Sequence, residues 1–467
     1  MKHIERNLTF SLVSVIMAIG LLAGMPTAAH AQTYVNVNTF YGLQSAIYNY
    51  NTTAVDTVIT VTANFDIPMG SYISPHASVA TLTIKGVHPG IAITRDVCYN
   101  NLFFLSSNAN LILEDIIVDG NKGACPNGSS SLVYVAGGEF TMKAGAVLMN
   151  NSNTGVEIED GIFNMLDGEI SGNTSFAGGG VNISGGEFIM HDGEIRDNSA
   201  FWGGGVYITY TFDGFGSGEY ISGGTFVMLG GKIINNIASW GYGGGVYSSD
   251  KFAMLGGEIS GNSADSGGGV FVELYKESGF GEFITGGTAV ISDNTNNNAY
   301  IYGGGYITLS TETPPVSGMI IGVQTEMKDG VIVESDANPG DESYFFADEP
   351  GKGVIYDAGQ LIITNEPPDL RITGYTIVSG TSLGAFCYEF LATADVTNFG
   401  SAAYDVSGWL VEWPSNTIVI KGDLYFGDVA ANATVTSTDI FKIRVNLSST
   451  PSDGKQLAFD LYYSDQK

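Results

Sequence analysis

The sequence predicts an all-β chain, in which a right-handed, three-sheet parallel β-helix solenoid is followed by a small β-sandwich. Three observations support this prediction. A short pattern recurs about every 25 residues, which is the period of one solenoid coil. Within each copy, apolar and polar residues alternate with a period of two, as they do in strands. The last part of the chain lacks the repeat and carries separate strand-like segments, as a sandwich does.

The repeat is clearest between residues 163 and 262. Each copy has Phe-x-Met, a glycine-containing turn, Ile-x-x-Asn and then a glycine triplet, as in "FNMLDGEISGN" from Phe163 to Asn173. Coils stack about 4.8 Å apart, so equivalent residues should form ladders. The predicted ladders are Phe140, Phe163, Phe188, Phe226 and Phe252; Met142, Met165, Met190, Met228 and Met254; Val147, Ile170, Ile195, Ile233, Ile259 and Ile291; and Asn150, Asn173, Asn198, Asn236, Asn262 and Asn294.

Composition divides the chain into four parts. Residues 1–31 have a basic start, an apolar run and the small-x-small site Ala29-His30-Ala31, which predicts a signal peptide. Residues 32–365 form the predicted β-helix of about 12 coils, with an amphipathic helix in an N-terminal cap at about 35–55. Pro367-Pro368 marks a linker at 366–369, and residues 370–467 form the predicted β-sandwich. The chain after residue 31 has no apolar run long enough for an integral membrane span.

Charge and cysteine content restrict the function. The formal net charge of −30 argues against nucleic acid and anionic membranes as partners. A hydrophobic content of 44% argues against disorder. Aligning the strands around Cys98 and Cys125 offsets these residues by about one coil, so we expect a disulfide between them, suited to an oxidising compartment.

One charged stretch, "MHDGEIRDN" at 190–198, is open to three interpretations. The first is that it is an ordinary coil of the solenoid, whose charges face solvent, with no cofactor. The second is a calcium site, because carboxylates of adjacent coils should stack and Ca²⁺ prefers oxygen ligands; its residues would be Asp167, Glu169, Asp192 and Glu194. The third is a divergent catalytic site of Asp167, Asp192, Glu194 and Arg196.

Aromatic residues suggest a binding surface. Two insertions, at 208–224 and 272–287, leave the repeat after the same strand and should share a face. Other aromatics precede the glycine triplets and either stack into an exposed stripe or simply cover turns. The candidate binding residues are Phe176, Phe201, Trp202, Tyr210, Phe212, Phe215, Trp240, Tyr242, Tyr275, Phe280 and Tyr302.

The "GGGV" and Ile-x-x-Asn elements resemble those of secreted bacterial right-handed β-helix proteins of the pectate-lyase-like superfamily. Within that group the repeats are most similar to adhesin-like and polymorphic outer-membrane-protein repeats. The resemblance implies a secreted, extracellular or bacterial cell-surface protein associated with the outer membrane. The segment after residue 370 resembles the Ig-like domains of bacterial surface proteins.

Two function classes follow. The first is a non-catalytic, adhesin-like scaffold that presents aromatic loops to an extracellular glycan or surface protein. The second is a polysaccharide lyase or glycoside hydrolase with a divergent site. β-Helix hydrolases resemble each other in Asn-x-Asp, Asp-Asp, His-Gly and Arg-x-Lys elements, and only the first has a counterpart here, at Asn64-Phe65-Asp66. This difference favours the scaffold and a chain that is not an enzyme.

Overall fold

The structure is a computed structural model that describes most of the chain after residue 31. The predicted signal peptide and the predicted linker at 366–369 lie outside the described residues. The chain divides into two compact units, one up to Asp348 with Tyr356–Ile362, the other Glu349–Ile355 with Ile363 onward. The described residues are 32–68, 72–76, 80–96, 98–126, 130–212, 220–275, 281–327, 330–365, 370–398, 400, 403–430, 433–448 and 455–464.

The first unit is a parallel β-solenoid of about 11 turns. Most turns contribute one strand to each of three sheets, and these strands pair in parallel with their equivalents one coil further on. We call these faces sheets 1, 2 and 3. The predicted three-sheet parallel architecture is therefore confirmed, with about one coil fewer than expected.

The strands of the three sheets follow from their pairing. Sheet 1 contains Thr33–Val37, Thr57–Val61, Leu82–Gly86, Asn110–Glu114, the ends of Val133–Met142 and Val156–Met165, Glu187–Met190, Thr225–Met228, Lys251–Met254, Glu282–Thr285 and Thr308–Leu309. Sheet 2 contains Phe65–Ile67, Ala92–Arg95, Ile117–Asp119, Val147–Met149, Glu169–Ser171, Glu194–Arg196, Lys232–Ile234, Glu258–Ser260, Val290–Ile291, the start of Ile320–Thr325 and Phe345–Ala347. Sheet 3 contains Phe103–Leu105, the starts of Val133–Met142 and Val156–Met165, Val181–Ile183, Val206–Ile208, Val246–Ser248, Val270–Glu273, Ala299–Tyr302 and the end of Ile320–Thr325.

Shorter elements complete the unit. Ser199–Ala200 pairs with Ile237–Ala238 in a turn, and Val331–Val333 pairs with Gln360–Asn365. Tyr210–Phe212 and Tyr220–Gly223 form an antiparallel hairpin within the first insertion. A 3₁₀ turn, Asp341–Tyr344, lies near the end of the unit, and a further strand, Lys352–Asp357, has residues in both units.

Buried ladders of identical side chains fill the solenoid. All five predicted phenylalanines are buried, and successive rings stack with centroids 4.6–5.2 Å apart. The methionines of the predicted ladder are also buried. The phenylalanine ladder extends to Phe283, whose ring stacks on Phe252 at 5.2 Å. The sequence assigned Phe283 to the second insertion, but Glu282–Thr285 is a strand of sheet 1, so that insertion ends at Gly281.

Two predicted ladder positions are wrong by one residue. Leu148, not Val147, pairs with Ile170 and is buried, and the asparagine ladder begins at Asn151 rather than Asn150. The cause is the turn after Met142, which has four residues before sheet 2 resumes, whereas the next coil has three. One additional residue moves every following side chain to the opposite face of the strand.

The asparagine ladder forms a continuous chain of hydrogen bonds. Each Oδ1 accepts the backbone N–H of the preceding asparagine in the ladder, and most accept its Nδ2 as well, at 2.8–3.2 Å. The last member, Asn298, donates its backbone N–H and its Nδ2 to Asp348, at 2.7 and 2.6 Å. The chain of aligned amides thus ends on a carboxylate, which accepts both donors.

The glycine triplets lie beside this ladder. The first glycine of each has a positive φ, as in Gly178 at 62°, where other residues would be strained. A Cβ on the third, Gly180, would lie 2.7 Å from the Cγ2 of Ile195 and 3.1 Å from the Nδ2 of Asn198. The triplet is therefore required by close packing of the turn against the core.

An α-helix, Phe40–Thr53, packs at the N-terminal end of the solenoid, where the cap was predicted. Its buried face contains the predicted residues Leu43, Ala46, Ile47 and Tyr50. The Tyr50 hydroxyl donates to the carbonyl of Ala80 at 2.6 Å, which ties the helix to the coils below. The helix thus covers apolar side chains of the first coils.

Cys98 and Cys125 form a disulfide with their Cα atoms 5.0 Å apart, the pair that the sequence predicts. The buried side chain of Arg95 lies nearby. It donates to the carbonyls of Asn100, Ser130 and Ser131, and burial lowers its pKa to about 10. This part of the solenoid is therefore held by a covalent bond and by an arginine that binds carbonyl groups.

The second unit contains two antiparallel sheets. Leu370–Gly384, Cys387–Asn398, Phe441–Asn446, Thr417–Lys421 and Thr434–Thr436 form one sheet, and Asp423–Val429, Ala403–Glu412 and Ala458–Ser464 form the other. Val396 and Phe441 of the first sheet pack with Val406 and Phe426 of the second in a shared buried core. Two sheets facing one core fit the predicted small β-sandwich.

Candidate functional site: a carboxylate groove and an aromatic cluster

The four carboxylates of the calcium and enzyme interpretations do lie together. Glu169 and Glu194 are register partners in sheet 2, and Asp167 and Asp192 occupy the preceding turns of the same two coils. They line an open groove of about 370 Å³, with Lys232 from the next coil. We call this feature the carboxylate groove.

Each carboxylate of the groove has a structural partner. Asp167 and Asp192 accept the backbone N–H of the glycine that follows each, at 2.6 and 2.8 Å, as turn residues do. Arg196 donates from Nη2 to Glu169 at 2.8 Å, and its Nε lies 3.6 Å from Glu194. These contacts agree with the interpretation of the stretch as a coil of the solenoid.

The charged groups near the groove also contact each other. Arg196 also pairs with Asp197, so its guanidinium serves three carboxylates and is a poor base. Burial lowers the pKa of the neighbouring His191, which favours its neutral form. Among the described residues, no group of three or more histidine, cysteine, aspartate or glutamate side chains is arranged to hold a metal ion.

The outer face of sheet 3 carries a more unusual feature. The middle residue of each short strand points outward, and parallel register places these residues in one column along the solenoid. In four consecutive coils the column is aromatic: Tyr207, Tyr247, Phe271 and Tyr300. Their ring centroids lie 5.0, 5.7 and 5.5 Å apart, and the rings are nearly parallel.

Three further rings surround this column. Tyr242 stacks on Phe271 at 4.6 Å, Tyr302 lies 5.9 Å from Phe271, and Tyr275 meets Tyr302 edge to face at 6.3 Å. Phe271 and Tyr247 form the floor, with 4% and 9% exposed, and Tyr242 and Tyr302 form a rim, with 44% and 39% exposed. We call these seven described rings the aromatic cluster.

One carboxylate lies within the aromatic cluster. Glu273 accepts hydrogen bonds from the hydroxyls of Tyr247, at 2.6 Å, and Tyr275, at 3.3 Å. Burial and then the charge of Glu273 raise the pKa of Tyr275 to about 12, and burial followed by the same carboxylate raises that of Tyr247. Both hydroxyls therefore stay protonated as hydrogen-bond donors over the physiological pH range.

The predicted binding residues separate into groups. Tyr242, Tyr275 and Tyr302 belong to the aromatic cluster, whereas Phe176, Phe201 and Trp202 form a separate set with ring distances of 4.9–5.6 Å. Trp240 is 82% exposed, and Tyr210 is half-buried in the first insertion. Phe212 is described in its backbone alone, and Phe215 and Phe280 lie outside the described residues.

The two insertions share one corner of the solenoid, as expected from their position in the repeat. Each follows a strand of sheet 3, Val206–Ile208 or Val270–Glu273, and each returns to a strand of sheet 1. The second begins beside the cluster, where Tyr275 bridges to Gly304. The corner between sheets 3 and 1 therefore adjoins the aromatic cluster.

The sequence did not predict three residues of the aromatic column as binding residues. Tyr207, Tyr247 and Phe271 each follow the valine of a "GGGV" element, and this was the available signal. The residue after that valine is the outward middle residue of a three- or four-residue strand. The residues directly before the glycine triplets, Tyr242 and Tyr302, were predicted, and these form the rim.

Fold and site together define a parallel β-solenoid protein with an aromatic, acidic outer face. Comparison with known protein families, curated proteins and solved structures finds no match for this chain. No helix in the described part of the chain is sufficiently long and apolar to cross a membrane.

Proposed function

We propose that this protein is a secreted or cell-surface, adhesin-like scaffold that binds an extracellular glycan through the aromatic cluster and performs no catalysis. The observation that carries the proposal is the cluster itself. Its contiguous rings have a buried floor and an exposed rim, on one face of a rigid solenoid. Flat aromatic faces suit the apolar faces of sugar rings, and apolar patches on a solenoid mark binding sites.

The proposal extends to the type of solenoid and to its location. The glycine triplets and Ile-x-x-Asn elements support a right-handed β-helix similar to adhesin-like and polymorphic outer-membrane-protein repeats. The signal-peptide pattern at residues 1–31 and a disulfide support export to an oxidising compartment. The partner we favour is a glycan, because the rim tyrosines, Tyr242 and Tyr302, present exposed rings on which sugar rings can stack.

Binding to soluble polysaccharides tests the proposal. Residues 32–467 should bind at least one neutral or cationic polysaccharide in affinity electrophoresis or calorimetry. Replacing Tyr242 and Tyr302 by alanine should weaken that binding at least tenfold, because both rings lie on the rim. The matched control replaces Tyr41 and Tyr48, exposed tyrosines of the cap helix, and should bind as the parent does.

A product assay separates the scaffold from an enzyme. Reducing ends and unsaturated products should stay at background on neutral and acidic polysaccharides, with and without Ca²⁺. Product formation that disappears when Asp192 and Arg196 are both replaced would refute the non-catalytic scaffold and assign the carboxylate groove as an active site.

A further inference from the structure

The aromatic cluster combines ring faces with a carboxylate that has acceptor capacity to spare. A carboxylate offers about four lone-pair sites, and among the described residues two of those on Glu273 accept tyrosine hydroxyls. Glu273 is half-buried at the end of its strand, directly below the rim. Additional hydrogen-bond donors on a ligand can therefore be accepted there.

Carboxylates make the electrostatic potential at the aromatic cluster negative. Burial is the largest cause that raises the pKa of the hydroxyls of Tyr210 and Tyr275, and the charge of Glu273 is the next. For Tyr300, burial is again the largest cause that raises the pKa, and the charge of Glu326 is the next. In the described part of the chain, the charged groups that shift these hydroxyls are the carboxylates of Glu273, Asp250 and Glu326. A negative field within a partly desolvated site favours a cation and disfavours an anionic ligand.

Aromatic faces add to the same preference. A cation within about 6 Å of a tyrosine or phenylalanine ring is attracted by the quadrupole of the ring. Rings and carboxylate together combine two features that attract an ammonium group, and the exposed rings of the rim suit a sugar ring. An amine carried on a sugar satisfies both features at once.

We propose that the aromatic cluster selects amino sugars that carry a free ammonium group, held between Glu273 and the rings of Tyr242, Tyr275 and Tyr302. This inference rests on the proposed glycan-binding function and names the glycan class. The column of four rings spans about 14 Å at the rise of a parallel coil, which suits an oligosaccharide rather than one sugar.

Calorimetry with three oligosaccharides of equal length tests this selection. A glucosamine hexamer, its fully N-acetylated form and a glucose hexamer would be titrated into residues 32–467 at a mildly acidic pH, where the free amines are charged. We expect the glucosamine hexamer to bind at least tenfold more tightly than either neutral hexamer. Equal binding of all three would overturn the amino-sugar proposal but leave glycan binding intact. No binding of any hexamer would also overturn the amino-sugar proposal, and glycan binding itself would fail only if the polysaccharides tested above do not bind either.

Variants separate a specific site from general attraction to an acidic protein. Glu273→Gln should remove the tenfold preference, because it removes the charge of the carboxylate that accepts hydrogen bonds from the hydroxyls of Tyr247 and Tyr275. Asp66→Asn, which removes an exposed carboxylate on sheet 2, should keep that preference. A preference that survives Glu273→Gln contradicts the proposed site, and capture of a lysine-rich peptide without any hexamer assigns the cluster to a protein partner instead.

Discussion

At the scale of single residues, Asn198 shows how one amide connects two coils. Its Oδ1 accepts the backbone N–H and Nδ2 of Asn173, and its Nδ2 donates to Asn236 and to the carbonyl of Ile170. The side chain is almost wholly buried. Each of its groups is therefore satisfied by protein, and water cannot replace what a substitution removes.

Replacing Asn198 by alanine should destabilise the solenoid by about 3 kcal/mol, because two buried donors of Asn173 lose their acceptor. Urea denaturation followed by circular dichroism measures this change. Asn49→Ala, on the exposed face of the cap helix, is the control and should leave the midpoint nearly unchanged. Equal midpoints for the two variants would contradict the stabilising role of the ladder.

A second prediction at this scale concerns pH. Burial raises the pKa of the Glu187 carboxyl, on the outer face of sheet 1, above its ordinary value of 4.5. The folded state therefore binds this proton more tightly than the unfolded state. Stability from this group is fully present below pH 4.5 and is lost as the pH rises through the folded pKa.

Glu187→Gln should consequently raise the urea midpoint at pH 7 and leave it nearly unchanged at pH 4. The matched control is Glu282→Gln, in the same outward column of sheet 1 but exposed, which should have little effect at either pH. A lower midpoint for Glu187→Gln at pH 7 would mean that the carboxylate makes a stabilising contact.

At the scale of elements, the disulfide closes a loop within the early coils. Cys98 and Cys125 are 27 residues apart in sequence and lie beside the carbonyls that Arg95 binds. Cross-linking such a loop restricts the unfolded chain, so its loss destabilises the folded state. Within the solenoid, each coil contacts its neighbours alone, so the effect should concentrate in the coils around residues 95–131.

Replacing both Cys98 and Cys125 by serine should cost about 2–4 kcal/mol of stability. In this variant, hydrogen exchange should become faster than in the parent protein, and most strongly in the coils that flank residues 98–125. A Cys387→Ser variant serves as control, since that thiol lies in the second unit and has no disulfide. Uniform loss of protection across the solenoid would argue that all coils unfold as one unit.

At the scale of the whole molecule, the two units have separate cores. The stacked phenylalanines fill the first, and the residues around Phe441 fill the second. Compact units with their own cores unfold as separate transitions. Thermal or urea unfolding should therefore have two phases.

Phe188→Ala should lower the midpoint of one phase, and Phe441→Ala should lower that of the other. Each substitution should reduce the free energy of unfolding of its unit by about 3–5 kcal/mol. Calorimetry resolves the two transitions and assigns them. Tyr41→Ala on the cap helix serves as a control for both, because its ring is exposed. A single transition that moves with either core substitution would show that the units fold together.

The sequence by itself determined the solenoid, its three sheets and most of its ladders. A parallel stack repeats the same environment at the same position in every coil, so the required side chain repeats in the sequence as well. The repeat also predicted that Cys98 and Cys125 are about one coil apart and can form a disulfide. It failed locally where a coil departed from the repeat, as at the four-residue turn that displaces Leu148 and Asn151.

Only the tertiary structure decided which charged and aromatic residues act together. The carboxylates of the groove were candidate site residues because they lie close together in the sequence. In the structure they bind Arg196 and backbone N–H groups of turns. The column of the aromatic cluster joins residues 207, 247, 271 and 300, which insertions of different length separate along the chain. Ring contacts across coils depend on strand register and on which face a side chain takes, and a local pattern of residues does not encode how those faces meet.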